Sequence, residues 1–292
     1  MKGQRVFLDY DQDELDAAYN QAAYAPHSEH VRKRMVEASE SVRSRLRNVH
    51  RYAYGNLEIE RLDVYRSAKS NSPVHVFIHG GAWRRGLACQ NAFPAEMFMD
   101  QGIHYVVPDF SWVQDAGNNL LNLADQVRRA LIWVYRNAHI FNGNPERIYI
   151  SGHSSGAHLA AVALTTDWQG EYDLGLPKDF LKGGVLCSGM YDLYPVRLSS
   201  RSTYINFNDE VEGSLSPARH IEKLSAPIIL LIGDRETPEF KRQSIDFASA
   251  VERQGKSVRL SVFSHYDHFE IKETLSNPYG PFGGAVLSQI LQ

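Results

Sequence analysis

The chain has 292 residues, 43% of them hydrophobic and 22% charged, and a formal net charge of −3. That is enough for one domain with a well-buried core, and a balance this near neutrality gives no electrostatic ground for a nucleic-acid or anionic-membrane partner. Two cysteines, Cys89 and Cys187, are too few for a disulfide framework, so free thiols in a reducing compartment are expected.

The N-terminal MKGQRVFLDYDQDE lacks an apolar stretch of signal-peptide length, and no run nears the roughly 18 residues that span a bilayer. A soluble cytoplasmic protein is expected. DELDAAYNQAAY (residues 13–24) and SEHVRKRMVEASESVRSRLR (28–47) read as two helices, the second with Val31, Met35, Val42 and Leu46 near a helical period. The basic run at 30–34 reads as a solvated helix face rather than a binding patch. LEIERLDVYR (57–66) alternates like a strand with one solvated face. VHVFIHG (74–80) and IHYVVPD (103–109) read as buried strands.

NNLLNLADQVRRALIWVYRNA (118–138) places Leu120, Leu123, Val127, Leu131 and Val134 on one helical face. RIYISG (147–152) is then a strand and SSGAHLAAVAL (154–164) a helix of small residues. LKGGVLCSG, APIILLIGD and SVRLSVFS are later strands, with PEFKRQSIDFASAVERQ a helix between the last two. Alternating strands and helices predict an α/β fold: a mainly parallel central sheet with helices on both faces. Residues 1–292 read as one such domain, and residues 1–50 as a helical N-terminal extension that is a candidate cap over the site.

In such sheets ligand chemistry sits at the carboxyl ends of the strands, and four strand ends carry reactive residues in order. HGGAW (79–83) follows the first buried strand, GHSSG (152–156) a later one, GDRE (233–236) the next and SHYDHFE (264–270) the last. Strand–G-x-S-x-G–helix is the context of a nucleophile elbow, with Ser154 at its apex, although serine also favours a plain helix N-cap. Ser155 contributes a backbone N–H aimed at a developing oxyanion. Gly80 and Gly81, with Ala82 as a further choice, supply the other donors of the hole.

A serine nucleophile needs a base and the base a carboxylate. His268 is favoured over His265 as base. Glu236, three positions after Gly233, is favoured over Asp234 as the acid, with Glu239 a distant third. The order Ser, acid, His matches the α/β-hydrolase arrangement. The aromatics Trp83, Trp112, Tyr191 and Tyr204 lie near strand-end loops, and Trp83 and Tyr191 are the chosen substrate-wall candidates. H-E-x-x-H, C-x-x-C and G-x-x-x-x-G-K-[ST] are all missing, so neither a metal nor a nucleotide cofactor is expected.

With these pieces in place, the chain resembles the α/β-hydrolases of the hormone-sensitive-lipase-like esterase group, and within them the kynurenine formamidases (arylformamidases). The resemblance rests on LDAAYNQAAYAP, FIHGGAW, GHSSGAHLAA, SGMYDLYPV, SLSPARHI, ETPEFKRQS and HFEI. It departs at Ser155, where that branch usually has alanine, and at Glu236, where it often has aspartate. The resemblance implies serine hydrolysis of N-formyl arylamines, with short-chain carboxylesterase activity or hydrolysis of another small amide as the alternative. A non-catalytic ligand-binding role is the lesser one. The partners it implies are a small amide or ester substrate and, at most, a second copy in a homodimer.

Overall fold

The computed structural model describes residues 3–46, 49–172 and 175–292. In chain order its helices are α1 (Gln12–Ala18), α2 (Gln21–Tyr24), α3 (Ser28–Arg45), α4 (Ala95–Asp100), α5 (Leu120–Asn137), α6 (Ser155–Leu164), α7 (Trp168–Tyr172), α8 (Tyr194–Leu198), α9 (Asp209–Ser214), α10 (Pro238–Arg253), α11 (Glu270–Glu273) and α12 (Pro281–Ile290). The strands are β1 (Val49–Ala53), β2 (Arg61–Tyr65), β3 (Ser72–Ile78), β4 (His104–Pro108), β5 (Gly143–His153), β6 (Leu181–Cys187), β7 (Ile228–Gly233) and β8 (Val258–Phe263).

They form one eight-stranded sheet in the order β1-β2-β4-β3-β5-β6-β7-β8. β1 and β2 run antiparallel to their neighbours, and the pairs from β4 to β8 are parallel. Alternation along β3 separates two cores. Val74, Val76 and Ile78 pack into one apolar cluster with residues of α5, α6 and α10, and Phe77 joins a second with residues of α3, α4 and α12. Burial on both faces is what the continuous apolar strands require.

The expected helix over 13–24 is two. Asp11 caps α1, its side chain accepting from Glu14 N while Glu14 reaches back to the Asp11 N–H. The helix then stops at Tyr19, and Asn20 leads into α2. Tertiary contacts win over helix propensity here, because Tyr19 is buried edge-on to Phe240 and Gln21 is turned inward. The second helix ends at Arg45, and Arg47, the last residue of its expected span, lies outside the described residues.

The strand expected over 57–66 with one solvated face is shorter, and Leu62–Tyr65 are all buried. Asp63, on the face expected to meet water, meets cations instead. Its carboxylate pairs with Arg43 at 2.6 Å and with Arg51 at 2.8 Å. β1, with the sequence VHRYA, carries no apolar alternation and gave no strand signal.

Candidate active site

The register of the parallel strands sets the reactive loops side by side. Ile78 of β3 pairs with Gly152 of β5, His153 with Cys187 of β6, Cys187 with Leu231 of β7, and Gly233 with Phe263 of β8. The backbone continues that ladder one step beyond the strands, with Ser154 N donating to Cys187 O at 2.9 Å and Ser188 N to Leu231 O at 2.8 Å. Residues 79–83, 154, 188, 234–236 and 264–268 therefore open on one edge of the sheet.

Ser154 sits between β5 and α6 with φ +59° and ψ −126°. A non-glycine residue is strained there, and its neighbours hold it in place. A Cβ on Gly152 would lie 2.3 Å from the Gly156 oxygen, and one on Gly156 would lie 2.1 Å from the Ile78 oxygen. Both glycines are needed for strand and helix to approach so closely.

The loop after β3 is wedged against this turn. A Cβ on Gly80 would lie 2.5 Å from the His153 oxygen. Gly81 (φ +132°), Ala82 (φ +56°) and Trp83 (φ +61°) follow in left-handed conformations, and the Trp83 N–H donates to Ser155 Oγ at 3.2 Å. Gly80, Gly81 and Ala82 line a cavity of about 450 Å³ that also holds Ser154 and His268. Among the described residues their backbone N–H groups have no protein acceptor. The Ser155 N–H, first in α6, has no intrahelical acceptor either.

His268 Nδ1 lies 2.7 Å from Glu236 Oε2, and both side chains are buried. The same carboxylate accepts from Gln21 Nε2 at 2.9 Å, from Ser188 Oγ at 2.5 Å and from Gly233 N at 3.0 Å. Asp234 is turned away: it is exposed and accepts from the His265 N–H at 2.8 Å. His265 is also exposed, beside Arg235. Glu239 is buried and bound by Arg242 through both oxygens. Geometry thus joins His268 to Glu236 and leaves the other three apart.

Several contributors gave no signal in the sequence. His153 donates from Nε2 to the His268 carbonyl at 2.7 Å and packs its ring 4.5 Å from that of His268. Burial, followed by the neighbouring His268 and Lys272 charges, holds its imidazole well below the usual histidine range, so it stays neutral. Gln21 and Ser188 are ordinary polar residues in the sequence, and only long-range packing brings them to the carboxylate.

The expected aromatic wall needs correction. Tyr191 is fully buried, stacked 4.4 Å from Phe247, and Trp83 packs edge-on against His158; neither lines the cavity. Both are buried members of the core cluster on the α5, α6 and α10 face of the sheet. Tyr204 lies under Arg84 outside the cavity. Of the four aromatics considered, Trp112 lines it, joined by Tyr19 and Phe269. The basic run at 30–34 also divides: His30 and Lys33 are exposed and Arg34 pairs with Glu273, but Arg32 faces the cavity. Among the described residues no group of three or more His, Cys, Asp or Glu side chains could hold a metal ion, and no helix is long and apolar enough to cross a membrane.

Residues 62–181 match the BD-FAE family model. A candidate thioesterase from Silicibacter sp. tm1040, solved by crystallography, superposes with a TM-score of 0.81 at 20% identity, covering 96% of this chain and 99% of that one. The fold, with its strand-end serine, is that of the α/β-hydrolases, and relatives more than 30% identical over nine tenths of the chain make it a hydrolytic enzyme. The kynurenine formamidase of Danio rerio is 33% identical over 90% of this chain and 91% of its own length. An isoprenylcysteine alpha-carbonyl methylesterase of Arabidopsis thaliana is 27% identical over 75% of this chain and 56% of its own. The chain belongs to the kynurenine formamidase family.

Proposed function

We propose that the chain is a serine hydrolase of N-formyl arylamines, N-formylkynurenine being the first substrate to try, with Ser154, His268 and Glu236 as catalytic triad. The observation that carries this is the 2.7 Å contact between His268 Nδ1 and Glu236. A carboxylate on Nδ1 fixes the proton there and leaves Nε2 as a base toward the cavity that Ser154 shares.

Ser154 Oγ attacks the formyl carbon as His268 Nε2 takes its proton. The carbonyl oxygen becomes an oxyanion held by N–H groups of Gly80, Gly81 or Ala82 and of Ser155. The C–N bond breaks as the imidazolium protonates the departing amine, leaving a formyl ester on Ser154. Water, deprotonated by His268, hydrolyses that ester to formate. Helices α1 to α3 act as a cap, since Tyr19, Gln21, Arg32 and Met35 line the cavity. The free cysteines, Cys187 fully buried, fit a reducing cytoplasm.

Short-chain carboxylesterase activity is the second reading, supported by the likeness to a methylesterase. Turnover of an aryl formamide and of the matched formate ester separates the two. A formamide hydrolase keeps kcat/KM on the amide within about tenfold of the ester, because it protonates the amine efficiently. Brisk ester cleavage with formamide cleavage at background would leave the esterase reading.

A further inference from the structure

Ser155 follows Ser154 directly, and its backbone N–H, first in α6, has no intrahelical acceptor. Its hydroxyl turns elsewhere. Ser155 is 1% exposed and does not line the cavity, and its Oγ accepts from the Trp83 N–H at 3.2 Å. One residue thus touches both halves of the candidate oxyanion hole, the nucleophile turn through its N–H and the glycine loop through its Oγ.

The glycine loop needs holding. Gly81, Ala82 and Trp83 take φ values of +132°, +56° and +61° in succession. Two of the three carry a Cβ, and that backbone region is costly for such residues. Rotating the Ala82–Trp83 peptide unit would relieve the strain, and would carry the neighbouring Gly81 and Ala82 N–H groups with it. The two ends of the loop are anchored without Ser155. At the start, a Cβ on Gly80 would lie 2.5 Å from the His153 oxygen. At the far end the Trp83 carbonyl accepts from the Val113 N–H at 2.7 Å, and Trp112 Nε1 donates to the Gly86 carbonyl at 2.9 Å. The Trp83 indole is buried edge-on against His158.

Between these anchors the Ala82–Trp83 peptide has one tie. Among the described residues its carbonyl accepts no protein hydrogen bond, and its N–H has Ser155 Oγ as sole acceptor. A buried N–H left without an acceptor costs more than the hydrogen bond itself contributes. With alanine at 155 that group would turn until it found a partner, and the loop with it.

We propose that the Ser155 hydroxyl is a positioning group that fixes the Gly80–Trp83 loop against the nucleophile turn, so that the oxyanion donors are in place before substrate arrives. This rests on the serine-hydrolase reading above, but not on which amide or ester is cleaved. Formamide and ester pass through the same oxyanion, so the hydroxyl should act on both equally. Ser155 is also where the chain departs from the alanine usual among the formamidases it resembles, which makes the clamp a feature of this sequence.

The test compares wild type, Ser155→Ala and Ser155→Thr on an aryl formamide and its matched formate ester, with phenylboronate as inhibitor. The boron takes Ser154 Oγ and becomes a tetrahedral anion whose oxygen reports on the hole, whereas KM reports on the ground state. In Ser155→Ala, kcat should fall about 5- to 50-fold on both substrates, the scale of one buried hydrogen bond. KM should change by no more than about twofold, and phenylboronate binding should weaken by a factor similar to that in kcat. Ser155→Thr keeps the acceptor and should recover most of the loss. A kcat within about twofold of wild type in Ser155→Ala, or a loss confined to KM, overturns the proposal. So does a loss on the formamide alone, which would put Ser155 at the leaving group.

Failure of the wild-type enzyme to cleave either substrate would sink the hydrolase reading instead. The clamp is then read by amide hydrogen exchange of the full chain. Peptides covering residues 79–86 should exchange faster in Ser155→Ala than in wild type or Ser155→Thr, with β7 and α12 unchanged. Equal exchange of that loop in all three proteins would show that the hydroxyl holds nothing.

Discussion

Gln21 Nε2 donates at 2.9 Å to Glu236 Oε2, the same oxygen that faces His268 Nδ1. A residue near the N-terminus thus holds the carboxylate that orients the candidate base. Gln21 Oε1 also accepts from the Thr237 N–H at 3.2 Å, so this one amide clamps the loop after β7 from both sides. Removing it takes away the second hydrogen bond to Oε2 and so loosens the oxygen that meets the imidazole, although Ser188 and the Gly233 N–H still hold Oε1. Gln21→Ala should lower kcat by about 10- to 100-fold, the scale of one hydrogen bond to a charged group, with a smaller change in KM. A kcat within twofold of wild type in a folded variant would show that Gln21 only fills space.

Ser154 is the expected nucleophile. Ser154→Ala should lose several orders of magnitude in kcat, the remainder coming from binding and the oxyanion donors. A serine-directed organophosphate should label one peptide of the wild type, and none of the variant. Mass mapping that puts the adduct on Ser155 would reverse the assignment; Ser155 Oγ is already engaged by the Trp83 N–H.

Glu236 and Asp234 are separable by mutation. Glu236→Gln retains the shape but removes the charge that stabilises the imidazolium and fixes its tautomer, so turnover should drop by up to about 10⁴-fold. Asp234→Asn disturbs only an exposed contact to the His265 N–H, and its kcat should stay within a fewfold of wild type. The opposite ranking of the two variants would move the acid to Asp234.

Gly156 tests the turn itself. Its added Cβ would fall 2.1 Å from the Ile78 oxygen, a backbone atom that cannot swing aside. Gly156→Ala should cost about 1–3 kcal/mol in stability and, by shifting α6 against β3, abolish most of the activity. Urea denaturation and kinetics on the same preparation check both, and wild-type values in either would refute the close approach.

Stability should fall in mild acid. Burial pulls His75 down to about 3 and His158 to about 4. For His79 burial is also the main cause of a shift to about 4, with the Gly80 carbonyl and Asp109 opposing it. The unfolded chain titrates these groups near 6.5. Below that pH it binds protons that the folded state refuses, so the stabilisation is complete above about 6.5 and is lost as pH falls toward 4. Each group contributes a slope of up to about 1.4 kcal/mol per pH unit. The urea midpoint should therefore be lower at pH 5.0 than at 7.5; an equal or higher midpoint at 5.0 would contradict the burial of neutral imidazoles.

Local chemistry was legible where the chain must satisfy a local constraint. The glycines around Ser154 had to be there because a strand, a strained serine and a helix share a few residues, and no side chain fits at Gly152 or Gly156. Glu236 was legible because its spacing from Gly233 lets its carboxylate fold back onto the Gly233 N–H at 3.0 Å. The sequence makes β2 look half-solvated because it does not show that Arg43 and Arg51 arrive at Asp63 from a helix and an edge strand.

The sequence by itself determined the strand-and-helix alternation, the order of the reactive strand ends and the identity of the turn, since period, glycine placement and spacing are properties of neighbouring residues. Only the tertiary structure decided that Gln21, His153 and Ser188 converge on His268 and Glu236, that Trp83 and Tyr191 belong to the core, and that Arg32, Arg85 and Lys272 face one cavity. The physical reason is that hydrogen bonds and packing act across space, while Gln21 and Glu236 stand 215 positions apart along the chain, a separation that only the packing of the sheet and its helices closes.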